Sequence, residues 1–225
     1  MKKLILLLFI PLVFACSDDK KNSLTRDNLN GNVKSTKEIY FEAIEKFGKI
    51  TKGSRFGYQF LKTYDENGNS IEKRVYNIDD DLLHTYIYEY DSKGRSIEQS
   101  RYNSDGDLDE KWTSQFDDND NEIKSSLYNS DGDLLYKYSF KYNNEDILIE
   151  MKMFRNDGKL ERTYTYELDD KGNKIKEVIN SSDGNIFDKW TYNYEYDIKD
   201  NWIKRTQFID KKPINITERE IEYYD

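Results

Sequence analysis

The chain is 225 residues long, carries a formal net charge of −9, and is 36% apolar, 35% charged and 15% aromatic, with 19 Tyr, 11 Phe and 3 Trp. So acidic a chain is a poor partner for a nucleic-acid backbone, and with Ala only at Ala15 and Ala43 it is a poor source of long helices. Tyr, Phe, Ile and Thr suit pleated surfaces, so the composition points to an all-β protein. In chain order, Lys2 and Lys3 precede an apolar run from Leu4 to Phe14, and small Ala15 stands before Cys16, the sole cysteine. A charged start, a short apolar stretch and a small residue make an export signal, too short to cross a bilayer as a stable helix. Residues 1–15 are therefore expected to be removed.

Val13-Phe14-Ala15-Cys16 resembles the bacterial lipobox. That resemblance implies that Cys16 is lipidated, becomes the mature N-terminus and makes the membrane a partner through its acyl chains. Ser17-Asp18-Asp19-Lys20 resembles the surface-export signal of Bacteroidetes-type lipoproteins, which implies the outer face of the outer membrane. Ser17 to Asn30 is polar and without aromatics. Residues 16–30 thus read as a flexible tether reaching roughly 20 Å for about fourteen residues, ahead of a single domain over residues 31–225.

Gly106, Gly132, Gly158 and Gly184 recur every 26 residues within Asn-Ser-Asp-Gly and related turns. Midway between them runs a second ladder of the same period: Tyr64-Asp65, Tyr90-Asp91, Phe116-Asp117, Tyr142-Asn143 and Leu168-Asp169. Two turns per period mean two strands per period. The outgoing strands alternate, one parity collecting Leu82, Tyr86, Tyr88 and Tyr90, then Leu108, Trp112 and Phe116, then Leu134, Tyr136, Tyr138, Phe140 and Tyr142, then Leu160, Tyr164, Tyr166 and Leu168, then Ile186, Trp190, Tyr192, Tyr194 and Tyr196. A period of two with one apolar face is an antiparallel strand signature. The return strands keep an early Ile (Ile71, Ile97, Ile123, Ile149, Ile175, Ile203) and mostly a late aromatic (Tyr76, Tyr102, Tyr128, Phe154, Phe208). These columns are five apart, on opposite faces, which predicts a bulge or partial cover on both faces. Val33 to Ala43 is an opening strand, with a short helix over Ile39 to Phe47 as the alternative, and Ile214 to Tyr224 a closing half-unit. The prediction is an antiparallel β-meander of about fourteen strands. Its ring-bearing face is too apolar to stay bare, so the sheet is expected to curl or roll on itself.

Tyr90-Asp91-Ser92-Lys93-Gly94-Arg95-Ser96-Ile97, and nearly as well Tyr64-Asp65-Glu66-Asn67-Gly68-Asn69-Ser70-Ile71, resembles the YD repeat of Rhs-type bacterial proteins. Phe154-Arg155-Asn156-Asp157-Gly158-Lys159-Leu160 is also similar to a variant MORN repeat. The YD resemblance covers about residues 55–225 and implies β-hairpins wound into a curled sheet; it carries no active site.

His84 is the sole histidine, so a multi-His metal site or a His-centred relay is out of contention. With Cys16 spent on lipid, the residues read as a non-enzymatic protein with no cofactor and no metal. Asp-rich turns such as Asn103 to Asp107 could offer oxygen ligands, but they lack EF-hand spacing and read as Asx-braced hairpins. Trp112, Trp190 and Trp202 are the candidate ligand platform, since exposed rings stack on sugars. The expected function is an outer-membrane surface lipoprotein with a binding scaffold, for glycan or another envelope or host macromolecule. The alternatives are a structural or protein-interaction module of the envelope and, as a minor one, a carboxylate-based glycoside hydrolase.

Overall fold

The computed structural model describes residues 21–225. The export signal, Cys16 and the Asp18-Asp19 address lie outside the described residues. After a single helical turn, α1 (Ser23–Arg26), come fourteen strands: β1 (Val33–Lys46), β2 (Lys49–Tyr64), β3 (Ser70–Tyr76), β4 (Leu82–Tyr90), β5 (Ser96–Asn103), β6 (Leu108–Phe116), β7 (Glu122–Asn129), β8 (Leu134–Tyr142), β9 (Leu148–Arg155), β10 (Leu160–Leu168), β11 (Lys174–Ser181), β12 (Ile186–Tyr196), β13 (Trp202–Ile209) and β14 (Lys212–Tyr223). Each pairs antiparallel with its neighbour in sequence, and β1 pairs with β14, so the meander closes into a barrel. Closure removes both sheet edges, which would otherwise expose unpaired N–H and C=O groups. The opening segment is strand rather than helix.

The turns explain the 26-residue beat. In the Tyr-Asp turns the Asp carboxylate accepts from backbone N–H groups two and four residues on, as Asp65 does from Asn67 and Asn69 and Asp197 from Lys199 and Asn201. Asn103 and Asn129 do the same at the opposite end. The Asp-rich turns are therefore Asx-braced, the first Asp or Asn of each turn spending a side-chain oxygen on the local backbone.

Every hairpin from β2 onward is bulged just past its turn. At the Tyr-Asp end the extra residue is the early isoleucine itself: Tyr64 faces Ser70 while Thr63 faces Glu72, leaving Ile71 unpaired and 53% exposed. At the other end the register steps past Leu83, Asp109, Leu135, Glu161 and Phe187. That second bulge corrects one expectation. Val75 pairs with His84 but Tyr76 with Leu82, so Leu82 leaves the inner face, and Leu108, Leu134, Leu160 and Ile186 follow. A one-residue slip carries every side chain beyond it to the other face.

Inside lie the rings of the outgoing strands, as expected. Outside, charges pair across the ladder, Lys111 with Glu98 at 2.8 Å and Lys204 with Glu195 at 2.8 Å, among threonines such as Thr163 and Thr165. On the lipid face of a barrel a single Lys or Arg costs about 2–4 kcal/mol at the bilayer midplane. This wall, with rings inward and charges outward, is built to stand in water.

Candidate functional site

Fourteen strands enclose more space than side chains alone fill. Part of it is taken by the segment Asn22 to Gly31, whose residues up to Asn30 the sequence reads as flexible tether; the structure corrects that reading. Asn22 caps α1 by accepting from Thr25 N–H at 3.0 Å. Leu24 and Leu29 are buried and form one apolar cluster with Val33 and Tyr64. The segment lacks the apolar content to fold alone, but two leucines suffice once the barrel supplies the other half of the core.

This plug lies across the Tyr-Asp end. Leu24 N–H donates to Gly68 C=O at 3.0 Å, Lys21 Nζ to Asn121 Oδ1 at 2.7 Å and Asn28 Nδ2 to Asn173 Oδ1 at 2.8 Å. Asn201 accepts from Asn30 N–H at 2.7 Å and donates to its C=O at 2.9 Å. A Cβ at Gly68 would sit 2.3 Å from Asn22 Nδ2, so the approach there needs glycine. The repeat tyrosines also reach the plug: Tyr64 Oη donates to Asp27 at 2.8 Å and Tyr90 Oη lies 3.0 Å from Ser23 Oγ. In the third unit the ring is Phe116, and the Arg26 guanidinium stacks on it 5.0 Å from the centroid. At the opposite rim a Cβ placed on Gly106, Gly132, Gly158 or Gly184 would meet nothing within 4 Å, while Arg55 of β2 donates to Asp80 in the β3–β4 turn at 2.7 Å.

Beneath the plug is a lumen of adjoining cavities. One of about 420 Å³ is lined by Tyr88, Trp112, Phe116 and Tyr138 together with Ser96 and Ser114. A second, about 360 Å³, shares Asp27, Lys62 and Tyr88 with it and adds Glu38, Lys73 and Arg219. Volumes of this size are typical of small-molecule sites, and here the aromatic rings share the walls with many polar and charged groups, among them Arg26, Gln99 and Glu122. Burial pushes the Tyr138 hydroxyl up to about 12, and the Tyr64 and Tyr88 hydroxyls further in the same direction, so these phenols are neutral hydrogen-bonding groups. Burial also raises the Glu122 carboxyl above the usual carboxylate range, with the Ser114 hydroxyl, donating at 2.6 Å, and then Arg26 opposing it. Arg219 grips Glu38 Oε1 through Nε at 2.9 Å and Nη2 at 2.6 Å and lies 3.4 Å over the Trp202 ring.

The three tryptophans are not brought together. Trp112 faces the lumen beside Tyr86, ring centroids 6.0 Å apart. Trp190 is half-buried on the inner wall opposite Glu177. Trp202 is buried, its rings covered by Arg219 and Arg205, and cannot serve as an open platform. A period-two pattern assigns a face but not what covers it. The plug-binding asparagines were missed, although a signal existed: the fifth residue of the Tyr-Asp turns is Asn121, Asn173 and Asn201 where the plug docks, but Arg95 and Ile147 in the units between. The inward residues of the return strands, among them Lys73, Gln99 and Arg101, were missed because they repeat in position but not in type.

In overall shape the barrel is similar to a porin-like protein from Bacteroides uniformis, at 12% identity and a TM-score of 0.51 over 86% of this chain and 99% of that one. More distant likenesses are a LolA-superfamily protein from Nitrosomonas europaea (8% identity, TM-score 0.33, 86% of this chain and 87% of that one) and a putative outer membrane lipoprotein-sorting protein domain from Vibrio parahaemolyticus (12%, 0.34, 85% and 83%). No protein with a curated description matches the sequence. A family model described as an uncharacterised protein matches residues 17–182, and the chain belongs to that family.

Proposed function

We propose that this protein is a non-enzymatic binding barrel of the bacterial envelope, lipid-anchored through Cys16 on the outward face of the outer membrane, whose lumen takes a carbohydrate. In this reading the 26-residue unit is a YD repeat used as wall rather than as cargo shell. The observation that carries the reading is the lumen itself: rings, serine hydroxyls and charged side chains line it, and the chain's own N-terminal segment lies across one end. Aromatic faces backed by short hydroxyl groups suit a sugar, which is apolar on its ring faces and hydroxylated at its rim. The carboxylates lining the second cavity are each held by a cation, Glu38 by Arg219 and Asp27 by Lys62. The likeness to a porin-like barrel agrees with an envelope setting.

The test is binding of the mature chain to an oligosaccharide panel, followed by fluorescence and calorimetry. Trp112→Ala should weaken the captured sugar at least tenfold while the protein stays folded. A panel with no binder, or a binder indifferent to Trp112→Ala, refutes the lumen reading; a protein that co-purifies on the outer wall instead would favour the interaction-module alternative.

A further inference from the structure

The second cavity presents Lys62, Lys73 and Arg219 against Asp27 and Glu38. Two of these cations are spent: Lys62 on Asp27 and Arg219 on Glu38. Lys73 is left over. It projects from β3 between the Phe60 and Tyr86 rings, 4.7 and 5.1 Å from their centroids, with no carboxylate or hydrogen-bond acceptor on it among the described residues. Burial, and then the charge of Lys62, hold its ammonium below the ordinary lysine range. Across the same cavity Arg219 Nη1 is buried and unpartnered. Lys73 is half-buried, and its ammonium still reaches the cavity as a charge that no group among the described residues pairs, where a protein interior normally pairs one.

We propose that Lys73 is the anchor for the carboxylate of a ligand whose body lies along the adjoining ring-lined cavity. This deepens the lumen reading and rests on it. A single negative charge matches the single surplus positive charge. A phosphate, nearer two charges, would meet repulsion from Asp27 and Glu38 in the same cavity. The two aromatic rings beside Lys73 hold the ammonium by cation–π attraction on the cavity wall.

The experiment is calorimetric titration of the full mature chain and its Lys73→Met and Lys73→Arg variants with four probes: trigalacturonate, neutral galactotriose, laurate and inorganic phosphate. The expected result is binding of one carboxylate probe, weakened about 10- to 100-fold by Lys73→Met, the range for loss of a charge-assisted hydrogen bond, and restored by Lys73→Arg. Trigalacturonate binding identifies an acidic sugar as the source of the carboxylate, laurate binding a fatty acid. Failure of both carboxylates, equal binding by Lys73→Met, or equal competition by phosphate overturns the anchor. Galactotriose bound equally by all three proteins would overturn it while leaving the lumen a sugar site; circular dichroism on each variant separates loss of binding from loss of fold.

Discussion

Replacing Asn201 by Ala should loosen the plug by a calculable amount. Asn201 is fully buried, and its side chain makes three hydrogen bonds: from Asn30 N–H at 2.7 Å, to Asn30 C=O at 2.9 Å and to Tyr223 Oη at 2.9 Å. A hydrogen bond of this kind contributes about 0.5–1.5 kcal/mol net, and a buried backbone group left without a partner costs about 1–3 kcal/mol. Water reaches part of Asn30, which is itself exposed, so the cost settles at about 3 kcal/mol. For a domain of this size that lowers Tm by about 6–12 °C. The matched control is Asn185→Ala, the same turn position at the opposite end, where the side chain is exposed and bonds only Asp183; its effect should stay within about 0.5 kcal/mol. Denaturant unfolding gives the stabilities, and amide exchange over residues 22–32 should quicken in Asn201→Ala alone. A loss below about 1 kcal/mol, or unchanged exchange in the plug, would refute the claim that these asparagines latch the N-terminal segment.

Glu122→Gln should raise Tm at neutral pH. Burial raises the folded-state pKa of Glu122 above its unfolded value, so the folded state binds more protons between the two, stability falls as pH rises through that window, and the variant should lose this slope and match the parent near the lower end; coincident Tm–pH curves would contradict it. Gly132→Ala should cost about 1–2 kcal/mol in thermal unfolding from backbone strain alone, because φ is +84° and nothing lies within 4 Å to clash. Trp202→Ala should cost about 3–5 kcal/mol, since the ring is buried beneath two arginines; a variant as stable as the parent would mean the ring is not part of the inner packing. Cys16→Ala should move the protein from the membrane to the soluble fraction, and continued sedimentation with membranes would defeat the anchor.

The wall was legible from local chemistry. Alternation over Tyr136, Tyr138, Phe140 and Tyr142 gave the strand and its inner face, and the Asp and Gly residues of the turns gave the hairpin, because both signals act within a few residues. Of the site, Trp112 was singled out and does face the lumen, whereas Trp202 was singled out and is covered. Leu82 and its equivalents were assigned inward because a bulge changes the face of a residue without changing the spacing read from the chain.

By itself, then, the sequence determined strand number, pairing order and which side carries the rings. Closure of β1 on β14, the docking of the plug and the unpaired state of Lys73 were decided only by tertiary structure. The physical reason is range: Asn30 and Asn201 are 171 positions apart, and their bond exists only because the strands between them curve enough to bring the last strand back to the first.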